Sequence, residues 1–198
     1  MRTPALLRAL IGIVVAAPTT VLAHPGFGDA HDALHGFLHP IGGLDHVLAM
    51  VAVGFVAARL GGRALWAVPG AFLVAMALGG VIGMAGLAMP SPEVFIALSV
   101  VTLGVVIASG VRLSVAVLAG AVAFFAVFHG FVHGLESNDV HSGIAYGVGF
   151  VCGTALLHLV GIGVGRTVQG EGLARRQYVA RAGGAAVALA GVAMLAAL

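Results

Sequence analysis

The sequence contains very little charge. Only 8% of its 198 residues are charged, whereas a soluble domain carries roughly 25%. Lysine is absent, and the single cysteine, Cys152, excludes both an intramolecular disulfide and a CxxC metal or redox motif. A nucleotide-binding motif is also missing, so the sequence predicts neither nucleotide binding nor ATP hydrolysis. With 61% hydrophobic residues and a mean hydropathy of +1.14, the composition indicates an integral membrane protein.

The balance of charge gives no support to nucleic-acid binding. The chain has nine arginines against seven Asp and Glu residues, but Arg2 and Arg8 lie at the extreme N-terminus. Removal of residues 1–23 would leave seven arginines, nine minus two, opposite seven acidic residues. The mature chain would therefore be neutral, without the basic surface that a nucleic-acid-binding protein requires.

The first 23 residues have the pattern of a secretory signal peptide. Two arginines form a positive region, an apolar core follows, and Val21-Leu22-Ala23 resembles a cleavage site. The alternative is an uncleaved transmembrane helix, but the apolar core is short and Pro18 interrupts it. We therefore expect a signal peptide at 1–23, a His-rich periplasmic segment at 24–37, and a six-helix transmembrane domain at 38–198.

Six apolar segments follow, and most approach the roughly 20 residues that a helix needs to cross the hydrocarbon. They are residues 38–58, 64–86, 93–110, 114–134, 144–165 and 182–198. Every arginine of the mature chain lies in the first, third or fifth connection between them. The positive-inside rule therefore predicts that these connections are cytoplasmic and that both mature termini are periplasmic. We expect a multi-pass protein of the bacterial cytoplasmic (inner) membrane. The predicted fold is an all-α six-transmembrane-helix bundle, whose two three-helix halves have opposite orientations and permit an inverted repeat.

Glycine is abundant, with 31 residues, and several glycines are spaced four apart. Such pairs allow helix backbones to approach closely in a membrane, where lipid supplies no hydrophobic drive for association. We expect them to pack helices within one bundle rather than to form a dedicated dimer face, although a homo-oligomer stays open. The pairs are Gly79/Gly83, Gly130/Gly134, Gly149/Gly153 and Gly161/Gly165.

Two of the apolar segments contain ionisable residues, which cost several kcal/mol in hydrocarbon unless they are paired or serve a passage. The first segment carries His39, Asp45 and His46, and the fourth carries His129, His133 and Glu136. Imidazole together with carboxylate is a ligand set for divalent transition metals, and the lack of thiolate ligands argues against Cu⁺. Because the two segments are antiparallel, His39 is expected near His133 and Glu136, and His46 near His129.

Helix geometry gives further expectations for the first segment. His39 precedes Pro40 as an N-cap would, so the helix is expected to begin there, with Asp45 and His46 about 9–10 Å deeper at 1.5 Å rise per residue. Adjacent residues cannot share a regular helical face, and two explanations stay open. Gly42-Gly43 could loosen the helix, as in the broken helices of transporters. Alternatively, Asp45 accepts a hydrogen bond from a ligand imidazole and fixes its tautomer.

Other candidate residues have weaker patterns. His158 in the fifth segment is either a lower ligand on an exit path or a packing residue. Glu93 either faces the outer mouth or complements a helix dipole in the first turn. In the outer segment, His31, His35 and His39 repeat every four residues and, with His24, would gather metal, unless the segment is simply a disordered leader. Phe72 is packing by default.

Together these motifs resemble the HupE/UreJ family of hydrogenase- and urease-associated nickel permeases. The resemblance rests on the His-Pro start of the mature chain, on His39-x5-Asp45-His46, and on Phe128-His129-Gly130-x2-His133-Gly134-x-Glu136. It implies uptake of Ni²⁺ or Co²⁺ across the cytoplasmic membrane for metalloenzyme maturation. It also implies functional weight for the motif residues, with Phe72 and Glu93 as further members of the path.

The expected partners are a divalent metal ion as substrate and the lipid bilayer, with no nucleotide and no permanently bound cofactor. Two rival interpretations use the same residues: an intramembrane zinc-type metalloenzyme and a periplasm-facing metal sensor or accessory subunit. Ligands spread along the depth of the membrane argue against the enzyme. The absence of a sizeable soluble domain argues against the sensor. The sequence leaves open the choice of metal and whether transport is channel-like or proton-coupled.

Overall fold

The computed structural model describes residues 33–135 and 140–198, and the predicted signal peptide lies outside them. The described residues belong to one compact unit. All regular structure among them is helical, in agreement with the all-α prediction. The helices are α1 (Ala33–Gly42), α2 (Leu44–Leu60), α3 (Ala64–Met84), α4 (Pro92–Ser109), α5 (Val115–Leu135), α6 (Val140–Gln169) and α7 (Leu173–Ala196).

Five of these helices, α3 to α7, are long and apolar enough to cross a membrane, and the pair α1–α2 adds a sixth if it counts as one span. The fifth connection is shorter than hydropathy suggested, because α6 continues to Gln169 and α7 already begins at Leu173. Arginine is a good helix former, so the charged residues of this region extend the helices beyond their apolar parts. Large apolar side chains such as Trp66 and Leu159 are exposed on the outside of the bundle, as expected for contact with lipid.

The first apolar segment is not a straight helix. Helix α1 begins at Ala33, well before His39, and it ends at Gly42; α2 starts at Leu44 at an angle of 85° to α1. The expectation of a helix that begins at His39 was therefore wrong, and the depth estimate that assumed continuous helical rise does not apply. Gly43 has an extended backbone at the junction (φ −97°, ψ 123°), so the helix breaks at the Gly42-Gly43 pair, as the first of the two open explanations proposed.

Close approach through glycine explains how the bundle packs. Helices α3 and α5 have the most extensive interface. A Cβ atom at Gly130 would collide with the carbonyl oxygen of Met76, and one at Gly79 would collide with that of Val127. The same contact recurs between α2 and α6, where a Cβ at Gly161 would strike the backbone of Val51. The glycine pairs therefore serve packing inside the bundle, as the sequence predicted.

The end of the bundle that carries the arginines is tied together by side-chain bonds to backbone carbonyls. Arg59 at the end of α2 donates to the carbonyl oxygens of Val106, Ile107 and Val111, each at 3.3 Å. These acceptors lie in the last turn of α4 and just beyond it, where carbonyls lack helical partners. Gln169 of α6 donates to the carbonyl of Ala58 at 2.6 Å. The ends of α2, α4 and α6 are thereby held side by side.

Candidate metal path

The bend between α1 and α2 brings three histidines together. The ring centroid of His39 in α1 is 4.5 Å from that of His133 in α5, and the ring of His46 in α2 is 4.8 Å from His133. His39 and His46 are themselves 6.2 Å apart. The predicted neighbourhood of His39 and His133 is confirmed, and the 85° bend adds His46 to the same group.

Asp45 and His46 are adjacent in sequence and bonded to each other. Nδ1 of His46 lies 2.9 Å from Oδ1 of Asp45, so the imidazole N–H donates and the carboxylate accepts. A Cβ atom at Gly43 would lie 2.8 Å from Oδ1 of Asp45 and 3.0 Å from Nδ1 of His46. Glycine at the break therefore leaves the space in which this hydrogen bond forms.

This bond fixes the tautomer of His46. With the proton of a neutral ring on Nδ1, Nε2 carries a lone pair. That Nε2 atom lies 2.7 Å from Nε2 of His133, so His133 donates the proton that the two nitrogens share. Two imidazole nitrogens bound to one divalent ion at about 2.0–2.1 Å and at right angles would lie about 2.9 Å apart. A metal ion could therefore take the place of this proton after only a small movement of the two rings.

His129 lies one helical turn below His133 and is completely buried. Its ring is 5.1 Å from that of His46, as predicted. The hydroxyl of Ser99 in α4 donates to the carbonyl of Ile96 at 2.6 Å and lies 3.0 Å from Nε2 of His129. Because the hydroxyl proton is already used, Nε2–H of His129 donates to Ser99. Nδ1 of His129 then holds a lone pair that has no hydrogen-bond partner among the described residues.

Phe72 separates this group from a deeper histidine. Its buried ring lies 5.6 Å from His129 on one side and 5.1 Å from His158 of α6 on the other. His158 is 2% exposed, and neither of its ring nitrogens has a hydrogen-bond partner among the described residues. The interpretation of His158 as a hydrogen-bonded packing residue therefore loses its main support, since an unpartnered buried polar group is costly.

These residues form a continuous series of rings, which we call the histidine file. Its exposed end is His35, whose ring is 6.0 Å from that of His39. Exposure then falls to 7% at His133, 5% at His46 and zero at His129. The members of the file in order are His35, His39, His133, His46, His129, Phe72 and His158. Polar nitrogens thus continue from the surface into the centre of an apolar bundle.

The candidate ligands of the file do not form a compact cluster. Within residues 33–135 and 140–198, three or more His, Cys, Asp or Glu side chains do not come together as a metal-binding group. Glu136, His24 and His31 fall outside the described residues, so their predicted contribution stays a prediction. Glu93 is exposed in the first turn of α4, a position that fits the helix-dipole interpretation.

Three residues of the site were not singled out from the sequence. Tyr146 and Phe150 of α6 flank the upper part of the file: the ring of Phe150 is 4.5 Å from His133 and that of Tyr146 is 5.8 Å from His39. Their spacing of four residues in an apolar helix is an ordinary packing pattern. Ser99 is a single hydroxyl in an apolar run. Neither pattern distinguishes a site residue, because the contacts arise only when α4 packs against α5 and α6 packs against α1 and α2.

On one side, His133 borders a cavity of about 330 Å³ between α3, α5 and α6. Its other walls include Met76, Tyr146 and Phe150. The cavity leaves free space beside the side chain of His133.

An apolar helical bundle with a file of buried imidazoles defines a multi-pass membrane protein of the kind that handles metal ions. Residues 12–194 match the protein family described as "HupE / UreJ protein". A curated relative, "Protein HupE" of Rhizobium leguminosarum bv. viciae, is 45% identical over 187 residues, which cover 91% of this chain and 96% of the relative. The chain therefore belongs to the HupE/UreJ family. No solved structure matches it.

Membership of this family implies an accessory role in the transport of metal, nickel or cobalt, for hydrogenase or urease. The match covers α1 to α6 in full and nearly all of α7. The histidine file is therefore part of the region that defines the family.

Proposed function

We propose that this protein is a secondary permease that takes up Ni²⁺ or Co²⁺ across the cytoplasmic membrane and supplies hydrogenase or urease maturation. The observation that carries the proposal is the histidine file, a series of neighbouring imidazoles that runs from an exposed ring to one that is fully buried. Burial of so many polar rings in an apolar bundle is costly and is typical of an ion pathway.

The metal enters at the bend between α1 and α2. His35 and His39 receive the ion, with help from His24, His31 and the carboxylates of Glu93 and Glu136. The ion then binds between the facing Nε2 atoms of His46 and His133, 2.7 Å apart. Asp45 acts through His46: its carboxylate holds the Nδ1 proton and leaves Nε2 free for the metal.

Pairwise ligation suits a transporter better than an enzyme. An ion in transit must bind well enough to be captured and weakly enough to leave. A complete cage of three or four ligands would retain the ion, whereas two imidazoles and the lone pair of His129 offer a step to a deeper position. A metalloenzyme would instead concentrate its ligands around one open coordination site. We therefore favour transport over catalysis, without a permanently bound cofactor.

Phe72 is the barrier of the pathway. Its ring fills the space between the two deepest histidines and is 1% exposed. An apolar constriction of this kind stops hydrated ions until it moves. The ion passes from Nδ1 of His129 to His158 only when the ring of Phe72 moves aside. The ring thereby keeps the part of the file above it from being continuous with His158.

Uptake by the purified protein tests the proposal. Proteoliposomes that contain only this chain are given radiolabelled Ni²⁺, Co²⁺, Zn²⁺ and Mn²⁺ in separate counterflow assays. We expect accumulation of Ni²⁺ or Co²⁺, and loss of it in His133→Ala. An Arg63→Gln variant, which changes an exposed charge outside the file, serves as control. Failure of the folded, inserted protein to move either metal would contradict the proposal, and imposed pH gradients with and without an uncoupler would reveal proton coupling.

Orientation needs a separate test. We propose that the arginine-bearing connections are cytoplasmic and the file opens to the periplasm, because the positive-inside rule applies to all mature arginines. A reporter that is active only in the periplasm should be silent when fused after Gly170, in the short connection between α6 and α7. An active reporter at this position would reverse the proposed direction of uptake.

A further inference from the structure

The arginine-bearing end of the bundle contains a second cavity, of about 270 Å³. It lies between the ends of α2, α4 and α6 and the start of α7. Four arginines line it: Arg59, Arg112, Arg176 and Arg181. They come from the end of α2, the connection after α4 and the start of α7, so their convergence is a result of the fold. The three remaining arginines of the described chain, Arg63, Arg166 and Arg175, do not line the cavity.

The cavity concentrates positive charge without compensation. Arg112 and Arg176 are close enough to Arg59 to repel it, and none of the residues that line the cavity is acidic. The nearby Glu171 pairs with Arg175, at 3.1 Å, and leaves the lining arginines alone. Arg59 is committed to the carbonyls at the end of α4. The side chains of Arg112, Arg176 and Arg181 form no ion pair with any acid of the described residues.

The walls of the cavity have two characters. Phe55, Ile107 and Val168 form an apolar part of the wall, and the four arginines form a basic part. Guanidinium matches phosphate oxygens with paired hydrogen bonds. Basic pockets of this kind between transmembrane helices are suited to the headgroups of anionic lipids, with an apolar wall for the adjoining chain.

We propose that this cavity binds a phosphate group, carried by the headgroup of an anionic phospholipid or by soluble phosphate. The bound group connects the end of α2, the segment after α4 and the start of α7 through the arginines and relieves their mutual repulsion. Its binding is independent of the metal path, which lies at the opposite end of α2 and α6.

The test uses the full chain purified in neutral detergent. Its melting temperature is followed during titration with phosphatidylglycerol, with phosphatidylcholine and with inorganic phosphate in parallel. The pocket variant combines Arg112→Gln, Arg176→Gln and Arg181→Gln. The control variant combines Arg63→Gln, Arg166→Gln and Arg175→Gln, which removes the same number of charges outside the cavity. Helicity and gel filtration establish that each variant is folded.

We expect phosphatidylglycerol to raise the melting temperature of the wild type and the control variant, and phosphatidylcholine to have little effect. Affinity should fall roughly fivefold for each arginine removed and on the order of 100-fold in the pocket variant. An equal response to inorganic phosphate would assign the site to soluble phosphate, and a response to phosphatidylglycerol alone would assign it to lipid.

Equal losses in the pocket and control variants would overturn the proposal, because binding would then follow net charge. So would a wild type that responds to neither phosphate source. Should the pocket variant not fold, Arg112→Gln and Arg181→Gln are made singly. Both side chains are exposed, so their replacement leaves the packing intact, and an unchanged affinity in both would equally contradict the site.

Discussion

At one end of the bundle, His39, His46 and His133 lie close together, and an imidazole nitrogen binds metal only when the ring is neutral. At the other end, four arginines line a cavity, and their positive charge is not lost by deprotonation. Helix α2 extends from the first region to the second, with His46 near its start and Arg59 near its end. One helix therefore carries two kinds of polar chemistry, each confined to one end.

The comparison shows why the two ends must be distinct. A guanidinium group has no lone pair for a metal, and its charge repels a divalent cation. The arginine cavity is therefore unsuited as a continuation of the histidine file, so in the proposed pathway the ion leaves the deep His158 by another side of the bundle. Substitutions at one of the two ends, or in the packing between them, can therefore be tested separately.

Loss of His46 should have the largest effect. His46→Ala removes the nitrogen that faces Nε2 of His133 and also the contact with His129. We expect uptake of Ni²⁺ or Co²⁺ in proteoliposomes to be abolished, while protein level and helicity stay close to those of the wild type. Arg112→Gln, at the other end, should transport normally. Normal uptake by His46→Ala would show that the motif of α1 and α2 is structural.

The packing along α5 should differ sharply between its two ends. At Gly130, next to the file, a Cβ would collide with the carbonyl of Met76, whereas Gly120, nearer the arginine end, has no atom within 4 Å of such a Cβ. Gly130→Ala should lower the free energy of unfolding by about 1–3 kcal/mol. Gly120→Ala should change it by less than about 1 kcal/mol. Thermal melting in detergent measures both, and equal stability would contradict the close packing of α3 and α5.

The sequence predicts the five long helices and the residues of the histidine file, but it does not predict how these residues are arranged in space. Apolar length predicts α3 to α7, and the pattern of His129 and His133 places both on one helical face. A break at Gly42-Gly43 was only one of two explanations left open and its 85° angle was not predicted, because the helices on both sides of Gly43 are similarly apolar and glycine permits a break without requiring one. Ser99 was missed for a related reason: its contact with His129 depends on how α4 packs against α5.

The bend yields a prediction with a matched pair of glycines. A Cβ at Gly43 would press on the bond between Asp45 and His46, whereas a Cβ at Gly42 meets nothing within 4 Å. Disruption of the partner that orients a ligand histidine typically weakens metal binding 10- to 100-fold. Gly43→Ala should therefore raise the apparent KM for metal by about tenfold, and Gly42→Ala should leave it unchanged. Identical transport kinetics in the two variants would show that the Asp45–His46 bond does not govern binding.

The smallest effect is expected at the exposed entrance of the file. His35 is exposed and its ring lies 6.0 Å from that of His39, and His24 and His31 precede it in the sequence. Side chains outside the buried pathway can raise the local metal concentration, but they do not control the step past Phe72. Replacement of His24, His31 and His35 by Ala should therefore raise the apparent KM a few-fold and leave the maximal rate almost unchanged. Uptake measured from limiting to saturating metal separates the two quantities, with Arg181→Gln at the opposite end as control. A fall in the maximal rate at saturating metal would show that these histidines take part in the passage of the ion and not only in its capture.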